Sequence, residues 1–156
     1  MPITLLHVNP IQTVEISTEA QMQQFGLKLA TNLQIGDLII LEGPLGAGKT
    51  RLAQSIGKGL SVKSEITSPT FVIAKNYQGR TPFTHADAYR LLDSPIGGLQ
   101  DLDLDTENSI TVVEWGKNFA SQLNDQYLII TISIIDELSR ELKVSSVGDR
   151  WKSFNL

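Results

Sequence analysis

Apolar residues along the chain alternate between two periods, and the switches mark its elements. Ile3 to Val8 reads as a first strand and the segment after it as a helix, because Met22, Phe25, Leu29 and Leu33 recur at helical spacing on one core face. Thr18 and Gln21, three residues apart at its start, match a capping box, and Gly36 is expected to end it. Leu38-Ile39-Ile40-Leu41 is a continuous apolar run, the pattern of a strand buried on both faces. A glycine-rich stretch follows. Leu52, Ile56 and Leu60 then repeat every four residues along one side of a second helix, which Gly57 and Gly59 weaken toward its end.

Phe71 to Tyr77 and Pro82 to Asp87 read as two strands, and Gln78-Gly79-Arg80 between them predicts an antiparallel hairpin. Residues 93 to 109 carry Ser94-Pro95, Gly97-Gly98 and the acidic run Asp101, Asp103, Asp105 and Glu107. Turn chemistry with little periodicity predicts a solvated loop or short helix there. Ile110 to Val113 is a short apolar run that ends at Glu114. Tyr127 to Ile135 is a longer strand with Leu128, Ile130, Ile132 and Ile134 on one face. Asp136 to Ser139 turns the chain into a last strand, where Leu142 and Val144 alternate with polar neighbours.

Composition narrows the possibilities. A chain of 156 residues, 41% hydrophobic, buries one core, and we expect one domain over residues 1 to 156. A net charge of −4 argues against a protein that grips a nucleic-acid backbone by itself, which needs a basic face. The absence of cysteine excludes disulfides, thiolate metal sites and cysteine nucleophiles, and fits a reducing compartment. With neither a secretory leader nor an apolar stretch of spanning length, a cytoplasmic protein without membrane contact is expected.

The chemistry lies between the apolar strand and the second helix. Gly43-Pro44-Leu45-Gly46-Ala47-Gly48-Lys49-Thr50 satisfies G-x-x-x-x-G-K-[ST], with the flanks that a phosphate-binding P-loop requires. Its glycines let successive N–H groups face phosphate oxygens, and the following helix adds the positive end of its dipole. Lys49 is expected to reach the β and γ phosphates and the Thr50 hydroxyl to coordinate Mg2+. The whole loop, with Arg51 after it, is the expected nucleotide site. Without an Asn-Lys-x-Asp guanine reader, adenine is favoured, so the expected ligand is Mg-ATP. The fold class is therefore α/β, a P-loop NTPase-like domain whose mixed sheet has a parallel core and antiparallel hairpins, flanked by helices.

A P-loop also needs a carboxylate at the end of a neighbouring strand, to hold Mg2+ or orient the attacking water. Glu114 and Asp87 both qualify, the first after a more apolar strand. Which is ligand and which is base stays open, and either is also compatible with an ordinary solvated or ion-paired carboxylate.

Together with the P-loop, the blocks Ser68-Pro69-Thr70-Phe71, His85-Ala86-Asp87-Ala88-Tyr89-Arg90-Leu91 and Val113-Glu114-Trp115-Gly116 resemble the TsaE (YjeE) family over roughly residues 15 to 151. The resemblance implies a small ATPase required for the threonylcarbamoyl modification of the adenosine beside the anticodon of ANN-decoding tRNAs. It implies slow hydrolysis stimulated by TsaD and TsaB, which carry the transfer, with tRNA met through that complex. Lys49 and Thr50 match the family's phosphate and magnesium residues, Asp87 its acidic residue near the metal, Glu114 its second essential acid, and Trp115 its neighbouring aromatic. Arg51 departs from the small hydroxyl residue often found there, and residues 93 to 108 match only loosely.

Several residues keep two readings. Thr67, Ser68 and Thr70 fall in a segment that reads either as a switch near the γ-phosphate or as the start of an edge strand. His85 orients a neighbour or packs. Tyr89 and Arg90 line the site or a partner surface, and Trp115 covers the nucleotide, anchors an interface or packs in the core. Arg90 stands next to the site as one source of a missing cation. Two rival functions share the P-loop. A small-molecule kinase needs an arginine-bearing lid, for which the five arginines form no cluster; a nucleotide-gated adaptor would bind ATP without hydrolysing it.

Overall fold

The computed structural model describes residues 9–68, 74–93 and 104–155; the strand expected at Ile3 to Val8, the Ser94-Pro95 turn, Asp101, Asp103 and Thr70 lie outside them. The strands are β1 (Gln12–Ile16), β2 (Leu38–Glu42), β3 (Ala74–Gln78), β4 (Pro82–Asp87), β5 (Ile110–Glu114), β6 (Tyr127–Ile134) and β7 (Arg140–Val147). The helices are α1 (Glu19–Ala30), α2 (Lys49–Gly59) and the single turn α3 (Ala120–Leu123).

All seven strands form one sheet in the order β1-β7-β6-β2-β5-β4-β3. β6, β2, β5 and β4 run parallel, while β7 and β1 extend one edge and β3 the other by antiparallel pairing. This is the mixed sheet that the pattern predicts. Leu38 to Leu41 of β2 and Ile110 to Val113 of β5 are buried at every position because both strands are central and covered on both faces.

α1 and α2 cover one face. Met22, Phe25 and Leu29, with Leu33 beyond the helix, meet Leu52, Ile56 and Leu60, and Trp151 from the C-terminal turn closes the layer. Gly26 makes the helix contact possible, since a β-carbon there would stand 2.4 Å from Ser55 Cβ. On the other face Leu38, Ile40, Ala86 and Val113 pack against Leu91 and Ala120.

Thr18 caps α1 by accepting from the Gln21 N–H at 3.1 Å, and the Gln21 side chain accepts in return from Ser17 N–H at 2.6 Å. Two expectations differ from what is seen, and the shared face of β6 runs past the core. Gly36 does not end α1, which stops at Ala30; it takes the left-handed corner (φ 96°) of the turn from Gln34 to Asp37 that leads into β2. Ile134 shares a face with Leu128, Ile130 and Ile132 but lies past the core, 44% exposed. β1 appears where no strand is predicted, pairing with β7 along its whole length. No helix among the described residues is long and apolar enough to cross a membrane.

Candidate functional site

β2 ends at the carboxyl edge of the parallel core and hands the chain to the P-loop, the place where open α/β sheets bind ligands. Gly43 there has φ 147°, and a β-carbon on it would come within 2.6 Å of the Ile132 carbonyl oxygen, so the turn off the strand excludes a side chain. Gly48 starts α2 with no side-chain cap, which leaves the N–H groups of the first turn open toward the cleft.

The cleft measures about 610 Å3 and is lined by the loop from Leu45 to Arg51, by Ser68, Asp87, Tyr89, Arg90, Glu114 and Trp115, and by residues from two other segments. Gly43 and Pro44 lie behind it, where their carbonyl oxygens accept from Lys49 Nζ at 2.6 and 3.0 Å. The Lys49 ammonium also sits 4.2 Å from the centre of the Trp115 ring. Burial lowers its pKa, an effect that the carboxylates of Glu114, Glu42 and Asp87 oppose.

Parallel pairing of β4 with β5 sets Asp87 opposite Glu114 and brings both carboxylates to the loop. Glu114 is 3% exposed, and its two oxygens stand 3.2 and 3.1 Å from Thr50 Oγ1. His85 Nε2 lies 2.6 Å from Glu114 Oε2. Asp87 is half-buried and accepts from the Tyr89 N–H through Oδ1 at 2.9 Å. Burial raises its pKa; the Tyr89 bond opposes this and the nearby Glu114 charge adds to it.

Trp115 is in the left-handed region (φ 62°) directly after Glu114, with its N–H donating to the Leu41 carbonyl at 2.9 Å. That turn sends its half-buried ring over Lys49 and edge-on to Tyr89, centroids 5.1 Å apart. Thr67 does not line the cleft and accepts from Lys75 Nζ at 2.6 Å, whereas Ser68 is part of the cleft wall. Arg51 pairs with Glu19 at the start of α1, 3.3 Å apart on the surface.

Sequence reasoning passed over the other half of the cleft. Ile16, Thr18, Glu19 and Met22 line it from β1 and α1, and Glu137, Leu138 and Arg140 from the β6–β7 turn. Arg140 also braces the loop, donating through Nε to the Ala47 carbonyl at 3.1 Å. Nothing in local spacing marks these residues, because β1 and β7 reach the loop through sheet pairing.

A P-loop leaving the central strand of a mixed sheet with a parallel core, with acids from the two next strands at its mouth, defines a P-loop α/β protein. The family model described as "Threonylcarbamoyl adenosine biosynthesis protein TsaE" matches residues 16–142. The chain is similar to the tRNA threonylcarbamoyladenosine biosynthesis protein TsaE of Streptomyces coelicolor, 41% identical over 140 residues, covering 83% of this chain and 93% of that protein. It is 32% identical to the protein of the same description from Nostoc sp. over 151 residues, covering 93% and 92%. The crystal structure of YdiB from Bacillus subtilis superposes with a TM-score of 0.71 at 26% identity, covering 96% of this chain and 93% of that one. The chain belongs to the TsaE family of tRNA threonylcarbamoyladenosine biosynthesis proteins.

Proposed function

We propose that the chain is a Mg2+-dependent ATPase acting with TsaD and TsaB in the cytoplasm to form threonylcarbamoyladenosine beside the anticodon of ANN-decoding tRNAs. One observation carries the hydrolytic reading: Lys49, Thr50, Asp87 and Glu114, from three elements, line one cleft. Family membership supports the tRNA-modification role, and the TsaD and TsaB partnership rests on the family resemblance.

The triphosphate would lie along the loop N–H groups and the start of α2, with Lys49 turning from its two carbonyl partners to the β and γ oxygens. The base would extend toward the apolar wall of Ile16, Met22 and Leu138. The donor set suits Mg2+: a hydroxyl and a carboxylate already in contact, both hard oxygen ligands, with room for phosphate and water. Among the described residues there is no cluster of three or more His, Cys, Asp or Glu able to hold a metal without such help. Bound Mg2+ would offset charge on the phosphate oxygens.

The two acids then divide the work. Glu114, held against Thr50, is the metal-side carboxylate. Asp87, which lines the same cleft and is not tied to Thr50, orients the attacking water.

Phosphate release from Mg-ATP, measured alone and with TsaD and TsaB, tests this. The partners should raise the rate, and Lys49→Ala, Asp87→Ala or Glu114→Ala should each lower it on the order of 100-fold. ATP binding without phosphate release under any condition would replace the ATPase with a nucleotide-gated adaptor.

A further inference from the structure

His85 has no part in that scheme, yet it is fully buried at the base of the site. Its register partner on β5 is Val112, and Asp87 is paired with Glu114 two residues on, so the ring lies beneath the acids and not in the cleft wall. Nε2 is 2.6 Å from Glu114 Oε2, while Nδ1 is buried with no hydrogen-bond partner among the described residues.

This asymmetry fixes the donor. A proton on Nδ1 would leave a buried N–H without an acceptor and turn the Nε2 lone pair against a carboxylate oxygen. A proton on Nε2 is donated to Glu114 and leaves only a bare lone pair unpaired, the less costly arrangement. We infer that His85 is a positioning residue: its Nε2–H holds Oε2 of Glu114 so that the carboxylate stays turned toward Thr50 and keeps the cation corner formed.

The inference rests on the Mg-nucleotide reading. Packing alone would not require a polar ring here, since the same face carries the buried Phe83 on β4 and Ile110 and Val112 on β5. Groups that orient a metal ligand typically contribute about 10- to 100-fold to metal affinity or activity.

The test uses the full chain and Mn2+ as the cation, with free Mn2+ followed by electron paramagnetic resonance at saturating ADP. His85→Leu keeps the bulk and removes the donor, His85→Gln places an amide nitrogen near Nε2, and His85→Asn places one near Nδ1. Leu and Asn should weaken Mn2+ binding by about 10- to 100-fold, and Gln should restore most of it. Binding of a fluorescent ADP analogue in EDTA should stay at the parent's level in all three.

Parent-like Mn2+ affinity in His85→Leu, or His85→Gln as weak as His85→Asn, would overturn the inference and leave the ATPase reading intact. If His85→Leu does not fold, the Gln and Asn pair decides alone. If the parent itself binds neither ADP nor Mn2+, the Mg-nucleotide reading fails and this inference fails with it.

Discussion

Trp115 stands in a backbone conformation that disfavours every residue but glycine, and its ring offsets that cost through two contacts. A left-handed residue with a β-carbon costs about 1–2 kcal/mol. Against this, the edge-on pair with Tyr89 contributes about 0.5–1.5 kcal/mol, and the Lys49 ammonium over the ring about 0.5–1 kcal/mol. Trp115→Ala keeps the strain and loses both contacts, so the nucleotide-free protein should lose about 1–2.5 kcal/mol. Trp115→Gly loses the same contacts but releases the strain, and the extra freedom of glycine in the unfolded chain returns about 0.5–1 kcal/mol of that gain. The glycine variant should therefore be more stable than the alanine variant by up to about 1.5 kcal/mol, about 0.7 kcal/mol at the middle of both ranges. Urea unfolding followed by far-UV circular dichroism resolves such a difference as a shift in midpoint at constant slope. Alanine more stable than glycine would refute the left-handed backbone at this position, and with it the account of how the ring reaches Lys49.

Burial raises the Asp87 carboxyl above its ordinary value of 3.8, so the fold favours its protonated form. That contribution is whole below the ordinary value and lost as pH rises through the raised one. Without nucleotide or metal, Asp87→Asn should then melt above the parent at neutral pH, with the gain closing as pH falls through the raised value and gone below 3.8; a melting temperature below the parent's at pH 7 to 8 would contradict the burial. Arg150 holds the buried Asp37 carboxylate with two bonds of 2.9 Å, and among the described residues Asp37 Oδ2 has only the Gln34 N–H besides. Arg150→Ala should cost about 3 kcal/mol in urea unfolding, and adding Asp37→Asn should recover part of it. No recovery would show that the loss lies in the packing of Arg150 on Trp151, 4.5 Å from its ring centre.

How much of this was legible in the chain depends on how local the cause was. α2 is marked by Leu52, Ile56 and Leu60, and β2 and β5 by unbroken apolar runs, because full burial leaves no room for polar residues. The P-loop was legible for the same reason: its backbone geometry needs glycines at fixed intervals. β1 escaped because Gln-Thr-Val-Glu-Ile has few apolar residues, and an edge strand is specified by its partner β7 more than by its own sequence. Gly36 misled because a left-handed glycine serves a turn before a strand as well as it ends a helix.

The two acids show where residue pattern stops and topology begins. Glu114 stands at the end of an apolar run, whereas the Phe83-Thr84-His85-Ala86 stretch before Asp87 reads as a less apolar strand. Its polarity has a structural cause. Thr84 is buried with its hydroxyl donating to Asn76 at 2.9 Å, and His85 is buried against Glu114, so both polar groups point to neighbours that only the sheet order supplies. A strand interior that breaks the apolar pattern beside a P-loop is thus itself a sign: the chain keeps a polar residue in its core where a reactive carboxylate on the next strand needs a fixed donor.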